Sequence, residues 1–243
     1  MIPGLSSYTY TWAVGVPDNE PDICLTAFDL VDLTKKAGMS VLQIADNLPL
    51  HKLSAHELND LREYSASEGI SIEVGTRKLE QKILKAYISI ASYFHSPFLR
   101  IVIDEGNYKP EMEEIIKIIR EALPDFRESG IKLAIENHDR LTCRQFIEIM
   151  ESTDPEWVGI CLDSVNSLGA GEGLETVVER LAPFAINFHV KEFRIFRPPH
   201  KMGFLVEGAI LGQGILPLEE ILPKLGKNCN TAILEQWTPP LKN

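Results

Sequence analysis

The sequence predicts an α/β protein, a single (β/α)8 TIM barrel spanning residues 1–243. Three observations predict it: eight short β-like runs, a helix-like stretch between most of them, and a length of 243 residues of which 44% are hydrophobic. A repeated strand-then-helix pattern is typical of parallel strands with right-handed crossovers. Eight repeats in about 250 residues fit a closed barrel, and no composition shift or linker divides the chain.

The predicted strands are Gly4–Trp12, Ser40–Asp46, Ser71–Thr76, Phe98–Asp104, Lys132–His138, Trp157–Asp163, Ile186–Glu192 and Thr231–Trp237. The stretches between them carry apolar residues at three- and four-residue spacing, which indicates helices. These predicted helices are Leu25–Ala37, Ala55–Glu68, Lys78–Phe94, Met112–Arg127, Arg144–Met150, Leu174–Leu181 and Pro217–Leu225.

Signals at the helix ends support these assignments. Ser54 before one helix and Gly130 after another are typical caps, and Pro124 is expected to kink or shorten its helix. Only six residues follow Trp237, so we expect the eighth helix to be short or missing. The N-terminal segment or another subunit would then cover that flank, which allows a homo-oligomer.

The composition argues against nucleic-acid and membrane partners and indicates a cytoplasmic protein. The net charge is −11, whereas a nucleic-acid binder normally presents a basic face, so no nucleic-acid partner is expected. No apolar run is long enough to span a membrane, and the N-terminus does not resemble a secretion signal. Four scattered cysteines with no CxxC pair indicate free thiols and a cytoplasmic location.

The ends of the last four predicted strands carry groups that bind divalent metals: Glu136, Asp163, His189 and Glu235. Neighbouring parallel strands lie about 4.8 Å apart, so three carboxylates and one imidazole could converge on one cation. Each acid alone could instead cap a helix or form a surface ion pair. A buried carboxylate without a partner is costly, and a metal ion would remove that cost. Oxygen-rich ligation favours Mn²⁺ or Mg²⁺, with Co²⁺ and Zn²⁺ as alternatives.

The segments around these groups resemble the xylose isomerase-like superfamily of sugar phosphate isomerases and epimerases. The resemblance rests on five segments of the C-terminal half: IENH at 135–138, LDSVN at 162–166, FHVKE at 188–192, LGQG at 211–214 and ILEQW at 233–237. It implies a barrel with one divalent metal ion held by Glu136, Asp163, His189 and Glu235. It also implies that Glu136 and Glu235 shuttle protons on opposite faces of a carbohydrate substrate. Many epimerases of the family place a substrate-binding histidine where this chain has Asn166.

The reaction expected from this resemblance is isomerisation or epimerisation of a small keto-sugar, sugar acid or sugar phosphate. A metal that chelates a carbonyl and an adjacent hydroxyl acidifies the neighbouring carbon and stabilises the enediolate. A lyase on the same scaffold, a 3-oxo sugar acid decarboxylase or a dehydratase, is an alternative because loss of carbon dioxide or water gives a related enolate. A non-catalytic sugar-binding barrel is a third alternative.

Further residues are candidates for contact with the substrate. Lys191 should point the same way as His189, either as a surface lysine or as a catalytic cation that offsets the carboxylates or donates a proton. The long segment from Phe193 to about Leu216 is typical of a lid, and its basic residues form a solvated surface or grip an anionic group. The candidate substrate-binding residues are Trp12, Asn47, Glu73, Arg100, His138, Asn166, Arg197 and His200.

Overall fold

The computed structural model describes residues 1–16 and 19–239. It contains ten strands, β1 (Ile2–Ser6), β2 (Val41–Ile44), β3 (Ser71–Arg77), β4 (Phe98–Val102), β5 (Lys132–Glu136), β6 (Val158–Asp163), β7 (Ala185–Val190), β8 (Phe193–Phe196), β9 (Leu205–Gly208) and β10 (Thr231–Leu234). Strands β1 to β7 and β10 are parallel and close into a barrel in which β10 lies between β7 and β1. The predicted (β/α)8 barrel is confirmed.

Eight α-helices connect these strands or extend from them. They are α1 (Thr11–Val14), α2 (Ala27–Lys36), α3 (Ala55–Ser67), α4 (Gln81–Tyr93), α5 (Met112–Ser129), α6 (Cys143–Ser152), α7 (Leu174–Leu181) and α8 (Leu218–Ile221). Helices α2, α3 and α6 each begin with a capping box, at Thr26, Ser54 and Thr142, in which side chains and backbone amides satisfy each other. Helix α5 continues through Pro124 and ends at Gly130, whose φ of 70° suits a residue without Cβ.

The first strand is shorter than the sequence predicts. It ends at Ser6, and a 3₁₀ turn over Ser7–Tyr10 leads into α1, so Trp12 lies in a helix rather than at a strand end. The Ser6 hydroxyl accepts a hydrogen bond from the amide of Tyr8, which turns the chain out of the sheet. Thr9 then donates its hydroxyl to the carbonyl of Leu234, so the turn is tied to the end of β10.

The last flank of the barrel is thinly covered. Helix α8 has four residues, and no helix follows β10 in the described residues up to 239. The end of the predicted domain, 240–243, lies outside the described residues. Within the described part of the chain, no helix is both long and apolar enough to cross a membrane.

The apolar core lies between the barrel and its helices. Outward-facing strand residues such as Ile135 pack in one cluster with helix residues such as Ile119 and Phe126, all fully buried. The interior of the barrel is instead polar towards the C-terminal ends of the strands. The connection between β7 and α8 contains the antiparallel hairpin β8–β9, in which Ile195 lies opposite Val206.

Candidate metal centre

Four side chains from neighbouring strands converge at the C-terminal end of the barrel. Glu136 ends β5, Asp163 ends β6, His189 lies on β7 and Glu235 follows β10. Each offers one ligand atom, and these atoms all lie within 4.8 Å of one another. The register of β6 and β7 places Asp163 directly opposite His189. All four residues are at most 3% exposed, and together they could hold a metal ion.

Nδ1 of His189 is buried and lacks a hydrogen-bond partner among the described residues. Oδ2 of Asp163 is also buried and accepts no well-aligned hydrogen bond among them, although the Lys191 ammonium lies 2.9 Å away. The imidazole Nδ1 lies 3.3 Å from Glu235, 3.4 Å from Glu136 and 3.8 Å from Asp163, measured to one carboxylate oxygen of each. Unsatisfied buried polar atoms are rare and costly. Three carboxylate oxygens and one imidazole nitrogen suit a divalent cation, so the residues present fit such an ion.

Two buried cations flank the carboxylates. The guanidinium of Arg100 donates through Nε to Glu136, at 2.5 Å. The ammonium of Lys191 lies 2.9 Å from Oδ2 of Asp163 and 2.8 Å from Oε1 of Glu235. Burial alone would lower the pKa of Lys191, but the charges of Asp163 and Glu235 outweigh it and raise that pKa above its ordinary value. Lys191 is therefore an ammonium in the resting site.

The same balance acts on the two glutamates. Burial alone would raise the pKa of Glu136, but Arg100 and then His189 outweigh it and hold the pKa below its usual range. Burial likewise opposes ionisation of Glu235, and Lys191 followed by His189 overcomes it, so its pKa is also lowered. Both carboxylates are therefore held ionised, which is the form that binds metal ions.

Arg100 belongs to an ion-pair network behind the ligands. Its Nη1 donates to Asp46 at 3.1 Å, and Asp46 also accepts from Nε of Arg77 at 3.1 Å and from the Tyr8 hydroxyl at 2.7 Å. A Cβ at Gly75 would lie 3.1 Å from Cδ of Arg100, so glycine leaves room for this long side chain. Arg100 is 1% exposed and is positioned to hold Glu136.

Amide and hydroxyl side chains form hydrogen bonds to the metal-binding residues and hold them in place. Asn166 donates to Oε1 of Glu136 at 2.7 Å and accepts from Lys191 at 3.2 Å. Ser6 donates to Oε2 of Glu235 at 2.9 Å. Asn137 bridges β5 and β6, since its carbonyl accepts from the amide of Asp163 and its NH₂ donates to the carbonyl of the same residue. The predicted Asn166 thus lies against the metal-binding group.

A second buried polar layer lies beneath the ligands. The side-chain oxygen Oε1 of Gln43, on β2, lies 2.6 Å from Nε2 of His189. The side-chain NH₂ of Gln43 donates to Glu73 of β3. Glu73 is 3% exposed, and burial raises its pKa to about 7. The structure places Glu73 in this lower layer, on the far side of Gln43 from His189.

The other predicted substrate residues lie at the rim. Trp12 is partly exposed and donates its indole NH to the carbonyl of Thr238. Asn47 accepts a 2.6 Å hydrogen bond from the Ser7 hydroxyl, which joins the loops after β1 and β2. His138 is half-buried, with Nδ1 3.0 Å from Asp139.

Arg197 and His200 lie in the turn of the β8–β9 hairpin and are exposed. Arg197 stacks 4.3 Å above the ring of Phe204 and donates to the carbonyl of Lys201. His200 accepts from the amide of Met202 through Nδ1. Of the predicted residues, these two are therefore carried by a projecting segment rather than by the barrel.

Glu192 anchors the base of this segment. Its carboxylate accepts from the backbone amides of Phe193, Gly212 and Leu216 at 2.9–3.0 Å, and the side chain is buried. A Cβ at Gly214 would overlap this carboxylate and the Phe193 carbonyl. The GQG sequence therefore wraps closely around a charged, buried anchor.

Sequence reasoning missed several residues of the site: Ser6, Gln43, Asp46, Asn137 and Asn187. A signal existed for Gln43, because it is the one polar residue in the strand VLQI. Period-two alternation puts such a residue on the inner face of the barrel. Asn137 directly follows a ligand, but nothing in the sequence indicates that it bridges two strands.

A family model described as Xylose isomerase-like TIM barrel matches residues 31–243. The chain belongs to this family. It is 31% identical to the 3-oxo-isoapionate decarboxylase of Pectobacterium atrosepticum over 242 residues, which is 98% of this chain and 86% of that protein. That relative is an enzyme.

Several solved structures share the fold of this chain. A xylose isomerase-like barrel protein from Mycobacterium smegmatis in complex with magnesium superposes with a TM-score of 0.79, at 15% identity, over 98% of this chain and 90% of that one. D-psicose 3-epimerase from Clostridium cellulolyticum H10, solved with D-tagatose, gives a TM-score of 0.75 at 13% identity, over 100% and 87%. At these identities the likeness concerns the fold alone.

Proposed function

We propose that this protein is a divalent-metal-dependent lyase that removes carbon dioxide from a 3-oxo sugar acid. One observation carries the proposal: all four carboxylate oxygens of Glu136 and Glu235 are already engaged by protein groups. Arg100 and Asn166 hold Glu136, and Lys191 and Ser6 hold Glu235. An epimerase needs one carboxylate free to take a proton and another free to return it. Decarboxylation needs neither.

The bond changes are simple. The bond between the substrate carboxylate and the adjacent carbon breaks, carbon dioxide leaves, and the electron pair moves into the 3-oxo group to give an enolate. A divalent ion held by Glu136, Asp163, His189 and Glu235 would supply positive charge for the developing oxyanion. The enolate carbon then takes one proton, and the Lys191 ammonium, which contacts Asp163 and Glu235, is the donor. Lys191 regains its proton from solvent.

The relative in Pectobacterium atrosepticum supports this assignment, since it is named as a 3-oxo-isoapionate decarboxylase and matches nearly the whole chain. We propose that Asn166, Asn47, His138 and Trp12 contact the sugar. Arg197 and His200 would bind the carboxylate when the hairpin lies over the site. Arg100 positions Glu136 and does not touch the substrate, because it is 1% exposed.

The test is carbon dioxide release from 3-oxo sugar acids by protein loaded with Mn²⁺ or Mg²⁺, the ions that the donor set favours. We expect release by the wild type and loss of roughly 10²-fold or more in Lys191→Met. Lys85→Met, which changes an exposed lysine on α4, serves as the matched control. Absence of release from a panel that includes 3-oxo-isoapionate, with metal bound, would overturn the decarboxylase.

Isomerisation or epimerisation of a keto-sugar is the second candidate. It is favoured by the separate approach of Glu136 from β5 and Glu235 from β10, with β6 and β7 between them, which suits proton transfer on two faces. Deuterium incorporation into a keto-sugar in D₂O, without carbon dioxide release, would identify this reaction. In that case Glu235→Gln should abolish exchange while the fold is retained.

We further propose that the chain forms a homo-oligomer through the β8–β9 hairpin. Nine of the sixteen exposed large apolar side chains in the described residues lie between 195 and 215. At roughly 200 Å² for a large side chain, their exposed parts amount to roughly 900 Å². This is close to the roughly 800 Å² that each partner buries in a stable interface. Light scattering tests it: the wild type should have the mass of an oligomer and Phe204→Ser should dissociate more readily, whereas a monomeric wild type would refute the homo-oligomer.

A cytoplasmic location completes the proposal. It is supported by the cysteines, all four of which are free and three of which are buried, because buried free thiols are typical of a reducing compartment.

A further inference from the structure

A chain of buried polar groups connects His189 to a carboxylate deep in the barrel. Gln43 of β2, Glu73 of β3 and Asn187 of β7 are each at most 3% exposed and fill the interior below the ligands. None of the three is among the four residues that could hold the metal. Gln43 lies between His189 and Glu73, within hydrogen-bond distance of both.

The orientation of the Gln43 amide is fixed by two acceptors. Its Nε2 lies 3.0 Å from Oε2 of Glu73 and 3.1 Å from Oδ1 of Asn187, so both N–H groups are used. Asn187 is itself oriented, because its Nδ2 donates to the Thr231 hydroxyl at 2.9 Å and its Oδ1 also accepts from the Cys161 thiol. A reversed Gln43 amide would point its carbonyl at Oδ1 of Asn187, which is also an acceptor, and this contact would be repulsive.

The fixed amide decides which imidazole nitrogen carries the proton. Oε1 of Gln43 faces Nε2 of His189 at 2.6 Å, and an amide oxygen can only accept. Nε2 is therefore protonated in the neutral ring, and the lone pair lies on Nδ1. This is the same nitrogen that lies within 3.8 Å of three carboxylate oxygens and has no hydrogen-bond donor among the described residues.

We infer that Glu73, acting through Gln43, sets the tautomer of His189 and so prepares Nδ1 to bind the divalent cation. Glu73 and Gln43 are positioning residues, since neither contacts the ion or the substrate. Partners of this kind fix ring orientation and tautomer in metal sites, and their loss typically lowers metal affinity roughly 10–100-fold. The inference rests on the proposed metal site, although it does not depend on which reaction the site performs.

The position of Glu73 has a stability cost that an apolar residue would avoid. Burial raises its pKa to about 7, so ionisation in the folded protein is disfavoured, and a charge in a closed polar layer is expensive. In exchange, the carboxylate accepts from both Gln43 and, at 3.4 Å, Asn187. Glu73 is therefore one of the two acceptors, with Asn187, that orient the Gln43 amide.

The experiment measures binding of Mn²⁺ alone by calorimetry and the His189 tautomer by long-range ¹H–¹⁵N spectra. We expect Gln43→Leu to weaken Mn²⁺ binding roughly 10–100-fold. Glu73→Leu should weaken it roughly 10-fold although it touches no ligand. Glu73→Gln, which keeps an acceptor oxygen facing Gln43, is the matched control and should bind like the wild type. Spectra of His189→Asn assign the His189 signals.

In the wild type, the neutral His189 ring should be protonated at Nε2, both without metal at high pH and with Mg²⁺ bound. In Gln43→Leu the two tautomers should mix. A neutral ring protonated at Nδ1, or unchanged Mn²⁺ affinity in Gln43→Leu, would overturn the inference. If Glu73→Leu fails to fold, the wild-type tautomer and Gln43→Leu still decide it. Failure of carbon dioxide release with normal Mn²⁺ binding would affect only the proposed reaction.

Discussion

Replacement of Lys191 by Met should lower the stability of the metal-free protein and increase the stabilisation that a bound metal ion provides. The Lys191 ammonium lies 2.9 Å from Asp163 and 2.8 Å from Glu235, and its side chain is 10% exposed. Methionine keeps most of the apolar volume and removes the charge. Three carboxylates would then be opposed mainly by Arg100, so the metal-free protein should lose stability.

The loss in free energy of unfolding can be estimated because Lys191 and its partners Asp163 and Glu235 are buried. Breaking a buried ion pair from one side costs about 3–5 kcal/mol. For a chain of 243 residues, each kcal/mol lowers Tm by about 2–4 °C, so metal-free Lys191→Met should unfold roughly 10 °C below the wild type. A bound divalent cation restores positive charge at the same place, so Mn²⁺ should raise Tm more in the variant than in the wild type.

Thermal unfolding at pH 8, after chelation and after Mn²⁺ addition, measures both effects. Lys85→Met is the control, because an exposed substitution on α4 should change stability by no more than about 0.5 kcal/mol. The reasoning is refuted if metal-free Lys191→Met unfolds with the wild type, or if Mn²⁺ raises Tm equally in both proteins.

Three further predictions concern the supports of the site. Glu73→Gln should flatten the pH dependence of stability: the folded pKa of about 7 lies above the ordinary 4.5, so the wild type loses up to about 3 kcal/mol relative to the variant as pH rises from about 4.5 through 7. Urea unfolding across that range checks it, and parallel curves would contradict it. Glu192→Ala should speed hydrogen exchange of the Gly212 amide, since this carboxylate accepts from it; unchanged exchange would remove the anchoring role. Gly214→Ala should lower stability by about 1–3 kcal/mol, whereas Gly173→Ala, with open space at its Cβ, should not; equal unfolding temperatures would argue against close packing at Gly214.

The barrel and the four converging groups could be predicted because both follow from short-range rules. Period-two alternation gives the face of each strand side chain, and parallel strands bring their carboxyl ends to one rim. Ser54 and Gly130 likewise mark helix ends through local hydrogen bonding and φ. The error at β1 also has a local cause, because the capping hydroxyl of Ser6 turns the chain before the alternating YTYTW segment.

Depth inside the barrel could not be predicted in the same way. Glu73, Arg100 and Glu136 all face inward, but strand tilt and stagger decide their height along the barrel axis. The sequence offered Glu73 and Arg100 as substrate-binding residues. In the structure, Glu73 supports Gln43 from below, and Arg100 is enclosed between Glu136 and Asp46. Side-chain contacts across the barrel, such as that between Gln43 of β2 and Asn187 of β7, cannot be predicted from the pattern of a single sequence.

The charges at the site bear on the choice between the two candidate reactions. Glu136, Asp163 and Glu235 contribute three negative charges, while Arg100 and Lys191 contribute two positive ones, which leaves one net negative charge on these five side chains. A divalent cation would change this to one net positive charge. A neutral keto-sugar would leave that charge uncompensated in a largely buried site, which is costly, whereas the carboxylate of a sugar acid would cancel it. The charge balance therefore favours an anionic substrate, and this is the substrate class that decarboxylation requires.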